Sequence, residues 1–134
     1  MCATTTNCVL LAERHHRLSE GVRGLLETVF SGVFLVADQT SLMEGAERIS
    51  PTLVVVDVSL AEGDIADLLH SIHDRAPAAR VLLLSAHDEP TVVKAALAAG
   101  ADGLVLSRRI ATDLLPAVDA LLAGNRYVSP SAIV

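Results

Sequence analysis

Five short apolar runs recur along the chain: CVLLA at 8–12, VFLVA at 33–37, LVVVD at 53–57, VLLLS at 81–85 and LVLS at 104–107. Each is continuous instead of alternating, the pattern of strands buried on both faces of a parallel sheet. Helical spacing fills the gaps. Leu18, Val22, Leu25, Leu26 and Val29 form one stripe, and Ile65, Leu68, Leu69 and Ile72 follow i, i+3, i+4, i+7. Val92, Val93, Ala96 and Leu97 form another, and Leu114, Leu115, Val118, Leu121 and Leu122 the last. The segment 41–50, with Leu42, Ala46 and Ile49, carries the thinnest stripe. Gly100 and Gly124 fall just past helix ends, where a left-handed cap is common, and Pro90 suits a first helical turn. Pro116 interrupts the last stripe, so that helix is expected to start late, capped by Thr112 or Asp113.

Strands alternating with helices predict an α/β fold whose crossovers are right-handed. In such sheets functional groups collect beyond the carboxyl ends of the strands, at the switch in strand order. The sequence places Glu13, Arg14, Asp38, Asp57, Ser85 and Ser107 there.

A length of 134 residues fits one domain with a real core. Half the residues are apolar, yet Phe30, Phe34 and Tyr127 are the only aromatics, so the core must be Leu, Val, Ile and Ala. A formal charge of −6 argues against nucleic-acid binding by this segment itself, since no basic surplus can replace counterions. Cys2 and Cys8 make neither a disulfide framework nor a metal-ligand spacing, which makes a reducing cytosol the default. No apolar run reaches transmembrane length, and MCATTTN lacks the features of a signal peptide. These totals predict a soluble, acidic, cytoplasmic domain with no membrane partner.

Asp57 at the end of PTLVVVDVSL, Ser85 in RVLLLSAHDEP followed by the small Ala86, and GADGLVLS together resemble the receiver domain of bacterial two-component response regulators. LLLSAHDEP, ALAAGADG and AGNRYVSP are similar to the NarL/LuxR-type subfamily, and the resemblance covers essentially the whole chain. It implies a flavodoxin-like (βα)5 three-layer sandwich with strand order 2-1-3-4-5. It also implies a receiver over 1–125, with 126–134 beginning a linker toward a helix-turn-helix output domain that this chain does not contain. By the same resemblance Asp57 is the phosphoacceptor for a histidine kinase, Ser85 the hydroxyl that moves toward the phosphoryl group, and the Ser59 backbone carbonyl a Mg²⁺ contact. Phosphoryl transfer of this kind is mostly positioning plus neutralisation of charge by metal and cations.

The departures from that pattern carry equal weight. Receivers end the first strand in two acidic residues; Glu13 matches the first, but Arg14 stands at the position that ligates Mg²⁺, and a guanidinium offers no lone pair. The usual lysine after the fifth strand is Ser107, with Arg108 and Arg109 following, and Lys94, the one lysine, lies on the fourth helix. The aromatic switch position is Leu104, and a proline expected after the phosphoacceptor is Ala61. Arg14 is expected to pair with Asp57, lowering its pKa and occupying it; the alternative is that Arg14 swings into solvent and Asp57 is still phosphorylated inefficiently.

The resemblance with these losses implies an atypical receiver, a regulatory input module of a transcription regulator with no enzymatic turnover of its own. Mg²⁺ binding at Glu13, Asp57 and Ser59 is expected to be weak or absent, and phosphorylation of Asp57 weak or lost. The signal then comes from a protein partner, a ligand or homodimerisation, and DNA is reached only through an output domain. The alternative is a conventional phosphoacceptor that a histidine kinase phosphorylates on Asp57. A flavodoxin-like cofactor binder fits poorly, because ERHHRLSEG stands where a glycine-rich phosphate loop belongs. His15 and His16 read as solvated loop residues, since adjacent histidines point apart and no third ligand has the right spacing. His70 and His73 read as rim residues of the third helix, and His87 as a modulator of access to the site.

Overall fold

Each apolar run forms a strand in the computed structural model, which describes residues 8–86 and 90–129. These are β1 (Cys8–Ala12), β2 (Gly32–Val36), β3 (Leu53–Asp57), β4 (Arg80–Ser85) and β5 (Gly103–Leu106). A sixth, β6 (Tyr127–Val128), has no apolar run behind it. The sheet runs β2-β1-β3-β4-β5-β6 with every neighbouring pair parallel, which matches the expected flavodoxin-like order and adds one edge strand. The register sets Ala12 opposite Val56, Asp57 opposite Leu84 and Ser85 opposite Leu106. The carboxyl ends of β1, β3, β4 and β5 therefore finish along one edge.

Five helices cover the sheet: α1 (His16–Leu26), α2 (Gln39–Ile49), α3 (Ile65–Arg75), α4 (Pro90–Ala98) and α5 (Ile110–Leu122). Val22 and Leu26 of α1 and Leu114, Val118 and Leu121 of α5 pack with Val9, Leu11, Val55 and Leu84 on one face. Leu42, Leu69, Ile72 and Ala96 from α2, α3 and α4 pack with Leu10, Val54, Val56 and Leu83 on the other. Successive strand residues thus feed two separate cores, the period-two geometry of a sheet between helical layers. Fully burying each large aliphatic side chain contributes about 1.5–3 kcal/mol.

Differences from the sequence expectation have local causes. Val29 lies beyond the end of α1 and is 38% exposed, so it leaves the stripe. The edge strand β2 is half-buried, with Leu35 exposed, because it has a neighbour on one side only. α5 starts at Ile110 and not after Thr112; Pro116 sits inside it on the exposed side, where it has no N–H to offer the Thr112 carbonyl one turn back. The buried stripe of Ile110, Leu114, Ala117, Val118 and Leu121 keeps the helix intact across the proline. Gly100 and Gly124 adopt the left-handed backbone expected of them, and Ser50 does the same at the end of α2 with no glycine to signal it. Cys8 is disulfide-bonded, so a reduced thiol is not what the structure holds there. Cys2 and His87 lie outside the described residues. Among the described residues no helix is long and apolar enough to cross a membrane.

Candidate functional site

Two carboxylates meet where β1 and β3 end. Glu13 follows β1 directly, its N–H donating to the Val36 carbonyl at 3.0 Å, which keeps the chain in line with the sheet for one more residue. Its side chain is fully buried. Oε1 accepts from the His15 N–H and lies against the His15 ring Nδ1, both at 3.0 Å, while Oε2 is buried with no hydrogen-bond partner. Asp57 ends β3 at 7% exposure, and its Oδ1 accepts the Ser59 N–H at 2.8 Å. A 3-10 turn over Val58–Leu60 follows, for which Asp57 is the cap. The ligand atoms of Glu13, His15 and Asp57 all lie within 4.8 Å of one another.

The pair divides its charge unequally. Burial pushes the Glu13 carboxyl above its ordinary range, and the neighbouring Asp57 carboxyl pushes it further, against the two His15 hydrogen bonds. Burial alone would also raise Asp57, but the Glu13 carboxyl, the Ser59 hydroxyl and amide, and the charge of His15 outweigh it and hold Asp57 below the usual range. Two ionised carboxylates have no donor between them. Glu13 Oε2 is satisfied only if a proton or a cation enters the gap, because an unpaired buried charge is costly.

Arg14 was expected against Asp57. It donates instead from Nη2 to the Ser59 carbonyl oxygen at 3.1 Å. The guanidinium is exposed at the strand–helix corner and reaches a carbonyl of the adjacent turn while staying in water. The oxygen it bonds is the one expected, from the family resemblance, to be offered to Mg²⁺.

An open pocket of about 520 Å³ lies over this edge, lined among others by His15, Arg17, Asp57, Ser59, Ser85 and Ser107. The structure thus brings Glu13, Asp57, Ser59, Ser85 and Ser107 together, as the sequence placed them. Ser85 is 1% exposed at the end of β4, whereas Ser107 has left the strand to open a 3-10 turn over Ser107–Arg109. Arg109 turns to Asp113, with Nε 2.9 Å from Oδ2. Asp38 caps α2 through the Ser41 N–H at 2.7 Å and stays out of the site. His16 lies 3.1 Å from Glu20 one turn along α1 and is exposed, as read from the sequence, whereas His15 joins the carboxylates. Leu104 is fully buried in the α2–α4 core.

Arg17 was missed. It is an exposed cation in the first turn of α1, lines the pocket beside Asp57, and makes no hydrogen bond or ion pair among the described residues. Its position three residues after Arg14 gave no signal until α1 was seen to begin at His16.

The orphaned Glu13 Oε2 and the nearby Asp57 suit a cation. Mg²⁺ takes oxygen ligands; here Arg14 stands where the family resemblance implies a carboxylate, and it donates to the Ser59 carbonyl.

A parallel α/β sheet of order β2-β1-β3-β4-β5-β6, with paired carboxylates at its strand ends and a hydroxyl on the next strand, is the arrangement of a receiver-type α/β domain. Residues 9–119 match the model of the response regulator receiver domain, and the chain belongs to that family. It is 30% identical over 128 residues to the probable transcriptional regulatory protein NarL of Mycobacterium tuberculosis, covering 93% of this chain and 59% of that protein. It is 27% identical to the transcriptional regulatory protein DegU of Brevibacillus brevis, covering 91% of this chain and 52% of that one. The chain therefore spans little more than half the length of these relatives. A LuxR-family two-component response regulator from Aurantimonas superposes with a TM-score of 0.85 at 28% identity, covering 96% of this chain and 93% of that one.

Proposed function

We propose that this chain is the signal-input domain of a LuxR-type transcriptional response regulator in which Mg²⁺-dependent phosphorylation of Asp57 is weak or lost. The observation that carries this reading is the Arg14 guanidinium on the Ser59 carbonyl. A cation fixed by the chain holds an oxygen that a bound divalent ion would use. Ser107 in place of a lysine removes a second charge from the phosphoryl site, and the fully buried Leu104 leaves no aromatic side chain to swing. The domain then has no turnover of its own and works in the cytoplasm. It responds to a regulatory protein, to a ligand in the pocket over Asp57, or to pairing with a second copy. DNA contact belongs to a separate output domain, consistent with the −6 charge of this chain. The reading assigns 1–125 to the receiver and 126–134 to the start of the linker.

One observation favours the conventional alternative: Arg17 stands free in the pocket that holds Asp57 and Ser85. In that reading an Asp57 carboxylate oxygen attacks the phosphorus of a phosphohistidine, forming an acyl phosphate as the N–P bond breaks. Ser85 then donates to a phosphoryl oxygen and Arg17 replaces the missing lysine. A divalent cation held by Glu13, Asp57 and the Ser59 carbonyl would supply charge neutralisation.

Incubation with acetyl phosphate and Mg²⁺, followed by intact-mass measurement, separates the two. The atypical reading expects no stable phosphoryl adduct. One added phosphate that disappears in Asp57→Asn overturns it.

A further inference from the structure

We propose that Glu13, His15 and Asp57 form a mixed nitrogen–oxygen site for a first-row divalent transition ion such as Zn²⁺ or Co²⁺, selected over Mg²⁺. The proposal rests on the reading that Arg14 has dismantled the Mg²⁺ shell, and goes beyond it by giving the site a different ion.

Three observations converge. The ligand atoms of the three residues lie within 4.8 Å of one another. Glu13 Oε2, on a fully buried side chain, has no hydrogen-bond partner, and the Glu13 carboxyl lies beside that of Asp57. His15 Nδ1 lies 3.0 Å from Glu13 Oε1. Two donors about 2.1 Å from one ion stand about 3.0 Å apart at an octahedral right angle and about 3.4 Å apart at the tetrahedral angle, so this pair is already close to the separation of adjacent ligands. Asp57 is the third member within that 4.8 Å, with its Oδ1 also accepting the Ser59 N–H.

The chemistry of the donors sets the ion. Mg²⁺ requires near-octahedral oxygen at short distance. Arg14 has removed one carboxylate and engages the Ser59 carbonyl. An imidazole nitrogen has entered where the oxygens left, and imidazole suits Zn²⁺, Co²⁺ or Ni²⁺ far better than Mg²⁺. His15 is 63% exposed and caps α1 through its backbone alone, so its ring meets Glu13 on one side and solvent on the other, from which water can complete the coordination sphere.

The test titrates the metal-free protein with Co²⁺, followed by visible absorption, and with Zn²⁺ and Mg²⁺, followed by calorimetry. The expected result is one Co²⁺ or Zn²⁺ per chain, bound at least about tenfold tighter than Mg²⁺. His15→Ala should abolish that preference and leave the weak Mg²⁺ affinity unchanged, while His16→Ala changes nothing. Binding of Co²⁺ that survives His15→Ala overturns the proposal, as does equal affinity for Mg²⁺ or no binding at all. Absence of every metal together with absence of phosphorylation sinks this site and leaves the atypical-receiver reading standing. Tight Mg²⁺ binding with phosphorylation of Asp57 sinks the atypical reading itself.

Discussion

Arg14 bonds the Ser59 carbonyl across 3.1 Å and leaves the Asp57 carboxylate to Glu13, His15 and Ser59. The distinction matters chemically. An arginine on Asp57 would block the carboxylate oxygens themselves. An arginine on the Ser59 carbonyl leaves the Asp57 carboxylate open to the pocket and, in the reading proposed above, competes with a metal for that oxygen.

Restoring the acid tests that competition. Arg14→Asp adds a carboxylate and releases the Ser59 carbonyl, so Mg²⁺ affinity should rise by at least about tenfold, the scale on which altered metal surroundings act. Phosphorylation by acetyl phosphate should rise with it. Calorimetry with Mg²⁺ and intact-mass measurement read both, and an unchanged Mg²⁺ affinity would show that Arg14 is a bystander.

The strands were legible because uninterrupted Val and Leu runs have few other places to go in an α/β domain, and the ends of those strands delivered Glu13, Asp57 and Ser85 to one edge. β6 was not legible. Tyr127 and Val128 are a strand only because β5 offers an open edge and Ser129 is anchored next to it. The acceptor of Arg14 was equally out of reach, since a long side chain goes where the neighbouring turn puts a carbonyl. His15 was read as solvated from its loop position; its ring is exposed, but the N-cap geometry of α1 brings its Nδ1 against Glu13 two residues earlier.

Gly103 is a position where the fold requires the absence of a side chain. A Cβ there would stand 2.9 Å from the Tyr127 carbonyl, 2.9 Å from Leu121 Cδ1 and 3.0 Å from Leu82 Cδ1. The two leucines can shift, but the carbonyl belongs to β6 and moves only with the strand. Gly103→Ala should destabilise by about 1–3 kcal/mol, the usual cost of overpacking. Urea unfolding at neutral pH checks it; a loss below about 0.5 kcal/mol would show that β6 yields freely.

Pro116 predicts a change of the opposite sign. It lies on the exposed face inside α5, where it withholds a hydrogen bond from Thr112 and crowds that turn. Pro116→Ala restores the donor without touching the buried stripe and should stabilise by roughly 1–3 kcal/mol, since proline is about 3 kcal/mol worse than alanine in a helix interior. Thermal unfolding reads the gain. A lower melting temperature would mean that the stiffness of the proline in the unfolded chain outweighs the lost bond.

Asp113 links α5 to the segment after β6 and gives the domain an acid-sensitive contact. Arg109 donates to it from Nε at 2.9 Å and from Nη2 at 3.4 Å, and the Thr112 and Ser129 hydroxyls donate at 3.1 and 2.8 Å. Ser129, fully buried, also accepts the Leu106 N–H at 3.1 Å, so the cluster ties β5, α5 and the end of β6 together. The Arg109 hydrogen bonds, with those of Ser129 and Thr112, hold the Asp113 carboxyl below the ordinary range despite burial. A carboxyl depressed on folding contributes stability that is complete above its unfolded pKa of about 3.9 and is lost as pH falls through the lower folded value. The charged neighbours do not blur this window: Arg109 stays protonated throughout, and the Tyr127 phenol, raised by burial and by Asp113, titrates far above it. Asp113→Asn should therefore be clearly less stable than the parent at pH 7, with the gap closing below about pH 4. Urea unfolding at both pH values, compared between parent and variant, cancels the titration of the other carboxyls. A gap that stays constant from pH 7 to pH 3 would assign the loss to altered packing and remove Asp113 as the acid-sensitive tie between β5, α5 and β6.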